Sequence, residues 1–176
     1  MKLKSKWPVR RFFASLGALY LFCAVTPLLF AESGTAKSES VFRIYDTATE
    51  TVRTVNDQDF LCGALPCEMA VSVPDEALKA QIIAIHTLYD RKRRENTGKD
   101  FDFTCDSAEK SIYTVDAGLT DEEQNRVRAL CLSVLDKEIY FENEPINACY
   151  FAISAGCTQP FENVWPEKSY PYLTAV

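Results

Sequence analysis

Only one histidine, His86, occurs in the 176 residues, and none of the seven cysteines has C-x-x-C spacing. Cys62 and Cys67 are the nearest approach, and these absences argue against a structural zinc site. The first 30 positions hold no acidic residue and five of the 19 basic ones, so the remainder of the chain carries −11. That deficit of positive charge argues against nucleic acid, or any anionic polymer held by simple electrostatics. A target should be neutral, or be read by shape and hydrogen bonds. Internal repeats are also missing, as is a regular βαβ alternation. The mixed strand and helix signals are therefore read as one α+β domain with short antiparallel hairpins.

Hydrophobic and charged fractions of 47% and 25% are ordinary for a globular chain. The N-terminus differs. Lys2, Lys4, Lys6, Arg10 and Arg11 flank the uncharged run "FFASLGALYLFCAVTPLLF", Phe12 to Phe30. Such a run is long enough to cross a bilayer core, with the basic tip on the cytoplasmic side. The expectation is a signal anchor or signal peptide over 1–31, a polar linker "ESGTAKSES" over 32–40, and an extracytoplasmic domain over 41–176. It places the chain as a single-pass protein of the cell membrane, with secretion after cleavage at Ala31 as the alternative. Leu29 is not the small residue that cleavage prefers, and Phe22 before Cys23 disfavours lipidation. Six cysteines follow this segment. An even number in an exported chain permits disulfides and leaves their connectivity open, with buried free thiols as the competing reading.

Along the domain, "VFRIYD" and "TVRTV" read as a hairpin around "TATE". Asn56 and Asp57 can cap a helix that runs through "QDFLCGALP" toward Glu68. Ser72 and Asp75 resemble a capping box, with Pro74 in the first turn of the next helix. Leu78, Ile82, Ile85 and Tyr89 then recur at helical spacing and predict one buried stripe. Lys79 and His86 share a line about 80–100° from that stripe, on its shoulder, where side chains can border a groove. The basic residues of "DRKRRE" suit a helix C-terminus. "SIYTVD" reads as a strand, and Thr120 with Glu123 caps a helix burying Val127, Leu130, Cys131 and Val134. "KEIYF", "ENEP" and "INACYFAIS" read as a second hairpin. The last 22 residues read as a loop-rich aromatic tail.

The stretch "LCGALPCEMAVSVPDEALKAQIIAIHTLY" resembles the sporulation stage II protein D family (the SpoIID/LytB domain). The family signature runs Tyr-Leu-x-Gly-Val-Val-x-x-Glu-Met-Pro, a short spacer, then Glu-Ala-Leu-Lys-Ala-Gln-Ala-x-Ala-Ala-Arg-Thr-Tyr. Gly63, Glu68, Met69, Pro74, Glu76, Ala77, Leu78, Lys79, Ala80, Gln81, Ala84 and Thr87 fall on it without a gap. "CDSAEKSIY" is similar to the family's Asp-Ser/Thr-x-x-x-Gln-x-Tyr segment. "ACYFAISAGCT" is similar to its Ser-x-Gly-x-Thr loop, which gives Ser154, Gly156 and Thr158. "VWPEKSYPYLTAV" is similar to its Val-Trp-Gly…Pro-Tyr-Leu segment, so the resemblance covers about residues 41 to 176.

The resemblance implies a lytic transglycosylase that cuts peptidoglycan glycan strands during sporulation, after an amidase has removed the stem peptides. No cofactor is implied. The family's catalytic glutamate maps to Glu68. One carboxyl group suffices, because the sugar's own C6 hydroxyl replaces the water that a hydrolase must activate with a second carboxylate. The acid protonates the leaving oxygen and then takes the C6 proton, and partial burial among Leu65, Met69 and Val71 would raise its pKa for that work. Lys79, Gln81, His86, Ser154, Gly156 and Thr158 are the candidate substrate-binding residues. The alternative reading is a non-catalytic glycan-binding or amidase-activating module. Without the resemblance, Glu68 is only an exposed acid between two helices.

Departures from the family pattern are specific. His86 stands where the family has Arg, which makes charge support at that position dependent on pH. Ala70 replaces the Pro after Glu-Met, and Ala155 replaces the first Gly of the loop. Of the Cys/His cluster found in some members, only Cys105 remains, and no metal is expected. A family Gly-His-Gly-x-Gly-Met-Ser-Gln motif does not occur before Val176. That absence leads to the expectation of a fragment or a degenerate member.

Overall fold

A computed structural model describes residues 40–154, 156–166 and 169–176, and every structural statement here concerns those residues. Strand β1 (Val41–Asp46) and strand β2 (Thr51–Asn56) form an antiparallel hairpin in register from Val41↔Asn56 to Asp46↔Thr51. Alternation sends Phe42, Ile44 and Asp46 inward from β1, as the two-residue period of a strand requires. Strand β3 (Phe103–Cys105) then lies on the other side of β1 and parallel to it, giving the order β2-β1-β3. The fold is thus α+β with one parallel pair beside its hairpins, an arrangement that hairpins alone do not anticipate. Arg43 and Asp102 fasten that parallel edge. Arg43 N–H donates to Asp102 Oδ2 at 2.7 Å, its guanidinium meets Oδ1 at 2.5 Å, and Asp102 N–H returns to Arg43 O at 2.7 Å.

Two helices occupy the connection between β2 and β3. Helix α1 (Asp57–Glu68) starts on Asn56, whose side chain accepts from Asp59 N–H at 2.8 Å. Helix α2 (Asp75–Glu95) buries Leu78, Ile82, Ile85 and Tyr89, the predicted stripe. Its start differs from expectation. Pro74 is the capping residue and no side chain caps it. Asp75 is engaged elsewhere, because Arg126 binds its carboxylate together with Val71 O at 2.5 Å and Val73 O at 2.9 Å. Helix α3 (Asp121–Val134) has the Thr120–Glu123 capping box in both directions and buries Val127, Leu130, Cys131 and Val134.

The core lies where these elements meet. The rings of Phe42, Phe60, Tyr89 and Phe103 pack with centroids 4.5–5.7 Å apart, within the range of favourable tilted and edge contacts. Gly63 allows the 111–119 segment to touch α1. Its carbonyl accepts from Thr114 N–H at 3.2 Å, and a Cβ there would fall on Thr114 O and within 2.5 Å of the Tyr113 ring.

Two predicted strands are largely absent. "SIYTVD" contributes only an isolated bridge, Asp106↔Ser111, because Lys110 and Ile112 adopt positive φ and turn the chain. The second hairpin shrinks to β4 (Tyr140–Phe141) and β5 (Glu144–Pro145) around Glu142 and Asn143, both at positive φ as a tight primed turn requires. "INACYFAIS" makes no strand. A four-residue helix, α4 (Phe161–Val164), follows in the C-terminal segment.

The expectation of a single-pass membrane protein is also corrected. No helix among the described residues is long and apolar enough to cross a membrane. The longest, α2, has 21 residues but carries charged side chains along its length and buries its stripe against protein. The run Phe12–Phe30, on which the expected anchor rested, lies outside the described residues.

Candidate functional site

Glu68 is the last residue of α1. The helix ends where Met69 turns extended, and Met69 N–H closes the final turn on Leu65 O at 2.9 Å. Leu61, Ala64 and Leu65 face the core from the same helix, which leaves the Glu68 carboxylate exposed. Leu65 and Val71 are buried away from it and do not enclose it. The apolar enclosure expected around this carboxyl is absent.

What surrounds Glu68 instead is a polar and aromatic cluster. Tyr150 is near enough to feel the Glu68 carboxylate: burial, followed by the charge of Glu68, pushes the Tyr150 phenol up. Burial and Glu68 act on Tyr89 in the same direction. Lys92 lies on the same side, its ammonium 4.5 Å from the Tyr89 ring centroid. Burial lowers the Lys92 pKa, against the opposing charges of Glu95, Cys149 and Glu68. Tyr150 and Cys149 also line a cleft of about 570 Å³ with Phe151, Ser154, Thr158, Phe161, Trp165 and Tyr172. Tyr150 is therefore the link between the acid and the cleft. Among the described residues, no Asp, Glu, Lys or Arg lines that space.

The remaining candidates divide around α2. Six residues at 100° each place His86 about 120° from Lys92, on opposite shoulders of the buried stripe. His86 is 4% exposed, with Nε2 3.5 Å from Asp57 Oδ2 and 3.7 Å from Glu138 Oε1, and neither ring nitrogen makes a hydrogen bond. Burial alone would raise the Asp57 carboxyl, but contact with His86 and the Arg93 guanidinium reverse this and hold it below its ordinary value. Asp57 opens α1 and Glu68 closes it, about 16 Å apart along the axis. His86 thus belongs to the far end of the helix from Glu68. Lys79 shares the His86 side and pairs with Glu76 at 2.7 Å. Gln81 lies within about 20° of the Lys92 line, three turns earlier, with its Nε2 buried and unpartnered. Ser154 is exposed at the cleft. Thr158 lines it while pairing with Val176, N–H to Val176 O and Oγ to Val176 N–H, each 2.9 Å. Gly156 is exposed at φ +102°, a conformation suited to glycine.

The segment that delivers Tyr150 is fastened to α2. Ile139 N–H donates to Thr87 Oγ at 3.0 Å and Arg91 Nη1 donates to Pro145 O at 2.7 Å. Asn147 N–H donates to Tyr172 Oη at 2.9 Å, tying the segment to the cleft wall. Among the described residues no group of three or more His, Cys, Asp or Glu side chains converges as a metal site.

The sequence model of the SpoIID family, stage II sporulation protein, matches residues 45–133, which covers β2, α1, α2, β3 and all but the last residue of α3. The chain belongs to the SpoIID family. It is 26% identical over 143 residues to stage II sporulation protein D of Bacillus subtilis (strain 168), and 27% over 143 residues to that of Bacillus amyloliquefaciens. Each match takes in 76% of this chain and 41% of the relative's length. The chain thus spans less than half of the SpoIID-family proteins that it matches. The matched span contains Glu68, Lys79, Gln81 and His86, whereas Tyr150 and the cleft lie beyond it. Lys92 and Tyr150 had not stood out as site residues. Lys92 sat in a basic run that suits a helix end, and Tyr150 in a segment read as strand.

Proposed function

We propose that this domain is a glycan-binding module of cell-wall remodelling in sporulation, holding a peptidoglycan strand in the cleft between Tyr150 and Trp165. The observation that carries the reading is the cleft itself, large enough for saccharide units and lined, among the described residues, by aromatic rings and hydroxyls without a charged side chain. Apolar walls with a few placed polar groups suit a neutral ligand, and hydroxyls of Ser154, Thr158 and Tyr172 provide the polar contacts. Glu68 is exposed and is not among the residues that line this space, which fits recognition in the cleft better than catalysis by a buried acid. A cell-wall amidase, which supplies peptide-free strands, is the partner that this substrate requires.

A second reading rests on the influence of the Glu68 charge on Tyr150, which itself lines the cleft. A strand in the cleft would bring a glycosidic oxygen toward that carboxyl, and Glu68 would then serve as the acid and base of a lytic transglycosylase. Glu68 would give its proton to the leaving oxygen and take one from the C6 hydroxyl that closes the 1,6-anhydro ring, with Tyr150 orienting it.

One experiment separates the two. The purified chain is incubated with peptide-free glycan strands, and both co-sedimentation and anhydro ends by mass spectrometry are measured. The binding reading expects retention of glycan, at least tenfold weaker retention in Trp165→Ala, unchanged retention in Glu68→Gln, and no anhydro product. Failure to retain glycan, or retention indifferent to Trp165→Ala, refutes it. Anhydro ends formed by the parent and lost in Glu68→Gln establish the second reading in its place.

A further inference from the structure

All six cysteines of the domain (Cys62, Cys67, Cys105, Cys131, Cys149 and Cys157) are free thiols. The fold nevertheless brings two of them together. Cys62 is on α1 and Cys131 on α3, helices packed directly against each other. Cys131 is fully buried, one turn beyond Val127 and Arg128, and these two residues line a polar cavity of about 350 Å³ together with Cys62. Arg128 reaches across from α3 to Asp59 on α1 at 3.5 Å, and Cys131 and Cys62 each follow one turn later on the same two packed helices. The other four are differently engaged. Cys67 Sγ donates to Gly63 O at 3.3 Å, Cys105 is buried on β3, and Cys149 and Cys157 lie exposed in the C-terminal segment.

We propose that Cys62 and Cys131 form a dithiol site that a small disulfide oxidant, such as oxidised glutathione, converts into a covalent staple between α1 and α3. Cys62 is half-exposed and opens onto the cavity, so the oxidant reaches it and not Cys131. The contact from Cys131 and the Arg128 guanidinium favour the Cys62 thiolate against burial and Asp59, and they hold its pKa below the ordinary thiol value. That makes Cys62 the attacking sulfur, since the thiolate is the nucleophile.

The thiolate of Cys62 attacks one sulfur of the oxidant, whose S–S bond breaks to release one thiolate and leave a mixed disulfide. The Cys131 sulfur then attacks the Cys62 sulfur and expels the second thiolate. The two cysteine protons end on the two released thiols, and two electrons pass from the protein to the oxidant. Contact with Cys62 and burial raise the Cys131 thiol, which makes the second step the slower one. The staple closes a loop that contains all of α2 and restricts the unfolded chain.

The test is oxidation of the full chain across a series of oxidised to reduced glutathione ratios, followed by intact mass, peptide mapping and thermal unfolding. The expected product has lost two hydrogens and yields a peptide pair joined through Cys62 and Cys131. Its unfolding midpoint is higher than that of the reduced protein by on the order of 10 °C. In Cys62→Ser, a change at a half-exposed position, neither the Cys131 linkage nor the shift should appear. A stable glutathione adduct on Cys62, a linkage of Cys62 to another cysteine, or an equal shift in Cys62→Ser would each overturn the proposal.

Discussion

Gly63→Ala tests the packing on which the site stands. In an exposed helix interior, this exchange stabilises by about 1 kcal/mol through helix propensity. Here the added methyl meets the Thr114 carbonyl oxygen and the Tyr113 ring. Overpacking costs about 1–3 kcal/mol, and a collision with backbone, which has no rotamer to escape into, belongs near about 3. Relief by displacement would stretch the 3.2 Å bond from Thr114 N–H to Gly63 O, a further loss of about 1 kcal/mol. With the propensity gain set against these costs, the net destabilisation is about 3 kcal/mol, or roughly 6–12 °C in midpoint for a chain of this size. Differential scanning calorimetry of the variant reads this directly. Gly98→Ala is the comparison, since Gly98 has φ +86° and nothing within 4 Å, so only the left-handed penalty of about 1–2 kcal/mol applies. A Gly63→Ala midpoint at or above the parent's would refute the close approach of the 111–119 segment to α1.

Three further outcomes follow from the geometry. Thr120→Ala removes the capping box of α3 and should lower stability by about 1 kcal/mol in chemical denaturation. Arg126→Ala frees the Val71 and Val73 carbonyls of the loop after Glu68, and a loss of about 1–2 kcal/mol with faster amide exchange across residues 69–74 is expected. Asp46 is held at about pKa 2, mainly by the Ser107 side chain and then by backbone N–H donors at Ser107 and Ala48 and by Thr49, against the opposing effect of burial. Because its folded pKa is depressed, its contribution is present above the ordinary value near 3.8 and is lost as pH falls toward 2. The parent's denaturation midpoint should therefore fall across that window more steeply than that of Asp46→Asn, and parallel profiles would refute the assignment.

Local chemistry made much of the fold readable. The caps at Asn56 and Thr120, the α2 stripe and the first hairpin each depend on residues close in sequence. What was not readable depends on distant partners. Ser72 fails as a cap because Arg126, from another helix, takes Asp75 and the loop carbonyls. "SIYTVD" has strand residues but turns at Lys110 and Ile112 under the demands of packing against Gly63. Helical phase correctly put Lys79 and His86 on one line, yet phase cannot say which shoulder of α2 meets the cleft. His86 is covered by Asp57 and Glu138, the latter 52 residues away in sequence. The motif singles out Glu68, but its exposure at the end of α1, and the arrival of Tyr150 on the long segment strapped across α2, depend on the tertiary structure.

The parallel pairing of β3 with β1 also sets an order of events. β1 is the central strand, and one of its edges is covered only when residues 102–105 arrive, 59 positions after Arg43. The hairpin and both helices need only nearby chain, whereas this last edge must wait for a long loop to close. During synthesis from the N-terminus, β1 offers an open row of backbone donors and acceptors until Cys105 has emerged. That interval, rather than the folded state, is when the chain is most exposed to pairing with another copy of itself.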